Sequence, residues 1–388
     1  MSSVSSIFSQ MLQLIPRSGF EQAVLRHQAE RHAKGFTCWG QLVSMLFCQL
    51  GGAASLREIC QGLAASEGKL RHLGVPEAPR RSTLAYANEH RPWKLFEDVF
   101  YQLLDLCRTQ ARQSGSRHPF RFSNKLLSID ATTIELCASV FDWAHYRRTK
   151  GAVKLHLALD HDGLLPCFGL ITEGKVHEIN IARKMSFSAG TILAIDRGYT
   201  DYAWFSQLTS DGVYFVTRMK DNADYIVVED RAVPHRVGLL SDQVICLTQQ
   251  AAGDQAVFLR RIEFYDQQQE RVLVFLTNHL KLAAATVAEV FRQRWKVELF
   301  FKALKSSCKV KTFVGTSANA LRIQIWTALI AMLLIKFLHL KSTFAWHLSN
   351  LIALLRQQLF VYRNLWTWID QPFQEPEPLP MQMNLALH

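Results

Sequence analysis

Phe291-Arg-Gln-Arg-Trp-Lys-Val-Glu-Leu-Phe-Phe-Lys-Ala-Leu-Lys305 plants one carboxylate, Glu298, among five cations on what reads as a single helix. Phe291, Arg294, Glu298 and Lys305 follow one another at helical steps of three, four and seven, so they project from roughly one face. Leu299, Phe301 and Leu304 are expected to anchor that helix on a core. A lone acid in a basic helix suits a metal ligand beside a polyanion. The plainer reading is an amphipathic helix in which Glu298 pairs with Arg294 or Lys302. The rest of the chain has to decide between them.

At 388 residues the chain is long enough for two or three domains, and 49% hydrophobic content makes it globular rather than disordered. Lysine and arginine exceed aspartate and glutamate by 44 − 33 = 11, a field that favours a polyanion over an acidic partner protein. Nucleic acid comes first among such partners and an anionic membrane surface second. Eight cysteines without a Cys-x-x-Cys pair or a His-Cys cluster argue against zinc modules and a disulfide framework, and suit buried thiols in a reducing cytoplasm. The opening Met1-Ser-Ser-Val-Ser-Ser-Ile-Phe8 has no basic region followed by an apolar run, so no secretion signal is expected. Ile323 to Leu340 is apolar enough to suggest a membrane span, but Lys336 and His339 interrupt it, and a helix buried within the protein is the expectation.

Residues 1–120 read as helical, a candidate N-terminal DNA-binding domain. Trp39 to Leu50 is its clearest core helix. Ser55 to Leu63 opens with a capping-box pattern, and a Gly/Pro-rich turn then leads to a second, basic, capped helix. As a helix-turn-helix the pair would present Arg80, Arg81, Ser82 and Thr83 to a major groove. Two short helices joined by a turn also occur in any helical domain. From Lys125 the pattern changes to strands: Lys125 to Ala131, Ala152 to Asp160, and Leu164 to Thr172 beyond a turn. A helix over 175–188, a strand from Thr191 to Asp196, a helix from Asp201 to Thr209 and a strand from Val213 to Thr217 complete an α/β core, a mixed sheet with helices on both faces, over 121–217. Strand-like segments fill an insertion over 218–280, helices return over 281–345, and 346–388 reads as a C-terminal helix and a Pro-rich disordered tail.

Asp130 and Asp196 each sit at the end of a predicted central strand, where neighbouring strands bring side chains together at a sheet edge. With Glu298 they would supply three hard oxygen donors, suited to Mg²⁺ or to Mn²⁺ in its place. A pair of such ions about 3.5–4 Å apart would activate a water or hydroxyl and stabilise a leaving oxygen in phosphoryl displacement. Taken singly, a strand-end Asp is often only a cap or turn residue. Among rival acids, Asp160 and Asp162 suit their turn, Glu135 and Asp142 the following loop, Glu178 a solvated helix face, and Glu289 lacks flanking cations. His156 reads as a satisfied core histidine.

The order Ser128-Ile-Asp-Ala-Thr-Thr133, Ile195-Asp-Arg-Gly-Tyr-Thr-Asp201, a β-rich insertion and then Arg294-Trp-Lys-Val-Glu-Leu-Phe-Phe-Lys-Ala-Leu-Lys305 resembles the DDE transposases of bacterial insertion sequences, within them the IS-four family. The resemblance spans roughly 120–345 and implies a ribonuclease-H-like core with an inserted β domain. That family carries a Tyr-Arg-Glu-Lys signature with two, three and six residues between its members. Arg294, Glu298 and Lys305 match it, while Phe291 stands at the tyrosine position and lacks its hydroxyl.

What the resemblance implies is a cytoplasmic, nucleoid-associated enzyme of double-stranded DNA, dimeric on its substrate. Asp130, Asp196 and Glu298 would bind two Mg²⁺ ions, and hydrolysis at the terminal inverted repeats would release a 3′-hydroxyl that joins target DNA. Phe291, Arg294, Lys302 and Lys305 would contact the DNA end, with Lys150 and Lys154 as further contacts. Trp204 or Tyr225 would stack on a flipped base. A different class of function, a non-catalytic DNA-binding descendant of such an enzyme, is suggested by Phe291 and the charge of +11.

Overall fold

Leu126-Leu-Ser-Ile-Asp-Ala-Thr-Thr-Ile-Glu-Leu-Cys137, rich in β-branched and apolar side chains, forms β1 at the centre of a mixed sheet. The computed structural model describes residues 5–31, 33–66, 68–137, 145–147, 150–233, 238–247, 257–308 and 313–374. The expected tail from 375 onward, with Pro376, Pro378 and Pro380, lies outside these residues, as do Asp142 and the side chain of Lys150.

β1 pairs antiparallel with β3 (Lys150–Asp160) along its whole length, from Leu127 opposite Asp160 to Cys137 opposite Lys150. On its other side β1 runs parallel to β5 (Ile192–Ile195), but only from Leu126 opposite Ile192 to Ile129 opposite Ile195. β2 (His145–Arg147) and β4 (Leu165–Glu173) share the far edge of β3. The turn into β4 uses Gly163 at φ +77°, a left-handed conformation that costs glycine little. β5 continues in parallel to β6 (Tyr214–Arg218), with the intervening helix Tyr202–Ser210 packed on the sheet. All four residues of β5 are buried, as expected for a parallel strand covered on both faces.

The strand-rich segment extends the same sheet. β10 (Arg271–Thr277) pairs antiparallel with β6, and β9 (Phe258–Asp266), β8 (Leu239–Leu247) and β7 (Tyr225–Asp230) follow outward. The hairpin between β9 and β10 turns at 267–270, as its Gln-rich tip suggests. The helix expected over 175–188 shrinks to Glu178–Ala182, because Ser186, Ser188 and Gly190 favour turns over helix.

From Ile7 to Gln113 the described elements are all helical. The N-terminal helix of the expected pair, Leu56–Ala64, has the capping box: Ser55 accepts from Glu58 N at 3.1 Å while Glu58 accepts from Ala54 N at 2.8 Å. Its follower, Arg81–His90, lacks the expected cap, since Arg80 at the N-cap offers no acceptor. These helices share one core with the long helix Ala318–Lys341, in which Phe8, Leu42 and Phe100 join Trp326, Leu329 and Leu351. By length and a mean hydropathy of 1.8 that helix qualifies as a membrane span, yet 89% of its most apolar window is covered by the protein, which leaves little apolar face for lipid.

One buried ion pair braces the outer sheet. Arg260 Nε donates to Asp242 Oδ1 at 2.7 Å and Nη2 to Oδ2 at 2.5 Å, with side chains only 6% and 5% exposed. Arg260 also donates to the Leu282 carbonyl, tying β9 to the segment before the next helix. Removing one partner leaves an uncompensated buried charge. Arg260→Ala or Asp242→Ala is therefore expected to lower the unfolding free energy by ~3–5 kcal/mol in urea titrations. The double change Arg260→Met with Asp242→Leu should cost far less, and an equal loss in both would contradict this account.

Candidate active site

The site begins where the parallel pairing of β1 and β5 ends. Ile129 and Ile195 form the last pair in register, so Asp130, the next residue of β1, and Asp196, the first residue beyond β5, follow directly on it. Asp130 is not at a strand end as expected: β1 runs on to Cys137 because β3 continues to pair with it, and only the parallel ladder stops. Side chains alternate along a strand, so Asp130 lies on the face that also carries Leu126, Ile134 and Leu136. Leu126 packs with Val287 and Val290, whereas Ile134 and Leu136 belong to the core of Val297, Phe300 and Leu304.

Those two groups come from different helices. The single helix expected across Phe291–Lys305 is two, Ala284–Gln293 and Trp295–Ser307, which meet at Arg294. Arg294 N bonds to Phe291 O and Val297 N to Arg294 O, each at 3.1 Å, so the ladder tightens to three-residue spacing there. The inward stripe of the second helix is Val297, Phe300, Phe301 and Leu304, while Leu299, expected to be an anchor, is 49% exposed.

The junction buries the Arg294 side chain among the acids. Its Nη2 lies 2.7 Å from Glu298 Oε1 and 3.8 Å from Asp196 Oδ2, and its Nη1 lies 3.7 Å from Asp130 Oδ2. Glu298 thus pairs with Arg294, as the plainer reading has it, while Asp130 and Asp196 face the same guanidinium. Among the described residues no three His, Cys, Asp or Glu side chains are grouped closely enough to hold an ion as they stand. The donor set, three carboxylates converging on one cationic centre, nonetheless has the chemistry that Mg²⁺ or Mn²⁺ prefers. Asp130 accepts from Ala131 N at 2.8 Å, and burial pushes its carboxyl from 3.8 up to about 6 despite Arg294. Asp196 also caps the turn Arg197–Tyr199, accepting from Gly198 N at 3.4 Å.

Phe291 packs on Phe275 and lies beneath two guanidiniums, those of Arg294 at 5.5 Å and Arg218 at 5.8 Å from its ring centre. Arg218, the last residue of β6, reaches Asp196 at 3.9 Å. A cavity of about 580 Å³ opens here, lined by Asp196, Arg218, Arg271, Phe291, Trp295 and Glu298. Arg218 and the 55%-exposed Trp295 were not singled out from the sequence, although Arg218 directly follows the strand expected to end at Thr217 and Trp295 follows Arg294. Trp204, by contrast, is buried under its helix, and Tyr225 lies beneath Arg261 at 5.3 Å.

The expected cations separate. Lys302 is exposed, but Lys305 donates to the Thr133 carbonyl at 2.9 Å and pins its helix to β1. Lys154 is buried against Glu178 at 2.7 Å and the Val176 carbonyl, which removes it from the surface and Glu178 from a purely solvated role. Arg80 and Arg81 are exposed on the N-terminal helices, with Arg81 at a separate opening that it shares with Ser55 and Arg57. His156 bonds Thr172 Oγ1 at 2.9 Å, and burial lowers its ring to about 4. Glu289 pairs with Arg292 at 2.5 Å, and Asp160 with Lys125 at 3.3 Å.

Comparison with known proteins is consistent with this architecture. Residues 121–334 match the family model described as a transposase DDE domain, and residues 3–76 match a domain of unknown function, DUF4372. A Sinorhizobium fredii protein named as a transposase is 27% identical over 340 residues, covering 85% of this chain and 93% of its own length. A Geobacillus stearothermophilus protein named as a transposase for the insertion sequence element IS5377 is 28% identical over 261 residues, 66% of this chain and 67% of its own length. A Synechocystis protein named for the element IS4SA is 24% identical over 269 residues, 66% of this chain and 71% of its own.

An acid raised by burial opposes folding when ionised. For Asp130 that cost is absent below its ordinary 3.8, grows as pH rises toward about 6 and is complete above it. Asp130→Asn is expected to raise stability at pH 7.5 by roughly 2–3 kcal/mol, and the gain should vanish below pH ~4. Thermal denaturation across that range checks it; a gain independent of pH would count against the burial of the charge.

Proposed function

The chain belongs to the transposase DDE domain family, and we propose that it acts as the transposase of a bacterial insertion sequence with Asp130, Asp196 and Glu298 as its acids. The observation that carries this assignment is the meeting of those three side chains around Arg294, at the edge where two parallel strands part. Two further features support a ribonuclease-H-like core: the strand order β4-β3-β1-β5-β6, with β1, β5 and β6 parallel and β3 antiparallel to both of its neighbours, and helices on both faces. The match of Arg294, Glu298 and Lys305 in type and spacing supports the IS-four branch, with Phe291 as its variant position.

When bound, two Mg²⁺ ions would supply a water activated at neutral pH and charge stabilisation for the leaving oxygen. Asp130, Asp196 and Glu298 would hold them. Arg294 and Arg218 face the phosphate beside the cleaved bond, and Phe291 orients both guanidiniums through its ring rather than through a hydroxyl. Lys305 acts chiefly by fixing the Glu298 helix on β1, which sets the position of the third acid. The cavity takes the terminal nucleotide of the element, with Trp295 as the aromatic that a displaced base meets. Lys302, exposed on the helix that carries Glu298, serves as a phosphate contact, as do Arg80 and Arg81 farther along the repeat.

The working enzyme is a dimer on DNA in the bacterial cytoplasm, releasing a 3′-hydroxyl at each inverted repeat and joining it to target DNA. Asp130→Ala, Asp196→Ala and Glu298→Ala are each expected to reduce Mg²⁺-dependent end cleavage by at least ~10³-fold while duplex binding persists. Gel assays of cleavage and of binding on the element's own ends test this, and cleavage surviving in all three variants would refute the assignment.

A further inference from the structure

We infer that Arg294 is a built-in counterion of the acid cluster, and that divalent cations reach Asp130, Asp196 and Glu298 only as its guanidinium withdraws toward the adjoining cavity. The inference rests on the reading that these three acids take divalent cations. One guanidinium stands within 3.8 Å of an oxygen from every member of the cluster. It occupies the position where a cation bound by all three acids would sit, and two positive charges do not share a site of that size.

The guanidinium is poorly held for a permanent structural pair. Among the described residues, only its contact with Glu298, at 2.7 Å, is of hydrogen-bond length, and the buried Nε and Nη1 have no hydrogen-bond partner there. The exit is built. Arg294 also lines the cavity floored by Phe291, whose ring face already lies 5.5 Å from the guanidinium carbon. Arg218 occupies the same ring at 5.8 Å, so withdrawal brings two guanidiniums closer together. An anion between them relieves that repulsion, and the anion class that fits is a phosphodiester of the DNA end. Metal loading and entry of the DNA end are thereby coupled through one side chain, and the coupling is reciprocal.

The test is Mn²⁺ binding to the full, DNA-free chain, read by the loss of the free Mn²⁺ resonance and by calorimetry. Arg294→Gln is expected to bind Mn²⁺ about tenfold more tightly or better than the unchanged chain, and to melt at a lower temperature when metal is chelated. Adding Glu298→Gln to Arg294→Gln should abolish the gain. Arg294→Lys, which keeps a charge but can face fewer acids, should fall between, and it is read alone if the glutamine variant does not fold. Equal or weaker Mn²⁺ affinity in the folded variant overturns the inference. Failure of the transposase reading looks different: tighter Mn²⁺ binding in Arg294→Gln without end cleavage by the unchanged chain retracts the function and leaves the counterion standing.

Discussion

Three carboxylates gathered at one sheet edge repel each other, and a single guanidinium among them makes the arrangement tenable. Arg294 supplies it from the junction of two helices, one packed with Leu126 and the other with Ile134 and Leu136 on the same face of β1. Asp130 lies between those two apolar groups along the strand, so the helix break falls over the acid. The geometry is cooperative: the strand register places Asp130 beside Asp196, and the tightened turn at Arg294 carries Glu298 to them. Phe291 then works as a platform for two guanidiniums, a role that requires a ring face and no hydroxyl.

The second constraint is burial. Helix Ala318–Lys341 is as apolar as a membrane span because it is surrounded, with the N-terminal helices, the C-terminal helices and the sheet contributing to one core. Encasing it traps Lys336 at 6% exposure, and desolvation lowers that ammonium to about 8. The helices before Gln113 are therefore joined to the rest by apolar packing, although they match a separate family model.

Much of the fold was legible because it rests on local signals. The strand read from the alternation of Ala152 to Asp160, the apolar run of β5, the Gln-rich hairpin tip and the Ser55 capping box appear in the structure where the pattern put them. Errors arose where pairing or packing overrode local preference. β1 outruns its expected end because β3 supplies partners as far as Cys137, whereas the helix after β4 stops early for a local reason, the turn preference of the Ser and Gly residues that follow it. Periodicity could not reveal the break at Arg294, since its backbone stays in the right-handed helical region, at φ −52° and ψ −35°, on both counts. Lys154 and Trp204 looked available because residue type carries no record of burial.

By itself the sequence determined the mixed class of the fold, the succession of most strands along the chain and the identity of three acids worth testing, since each depends on periodicity or on spacing along the chain. Only the tertiary structure decided that Asp130 and Asp196 are neighbours, that Arg294 stands among all three acids, and that Arg218 and Trp295 border the same cavity. The physical reason is distance: more than a hundred residues separate Asp196 from Glu298, and electrostatic attraction depends on where folding brings the charges.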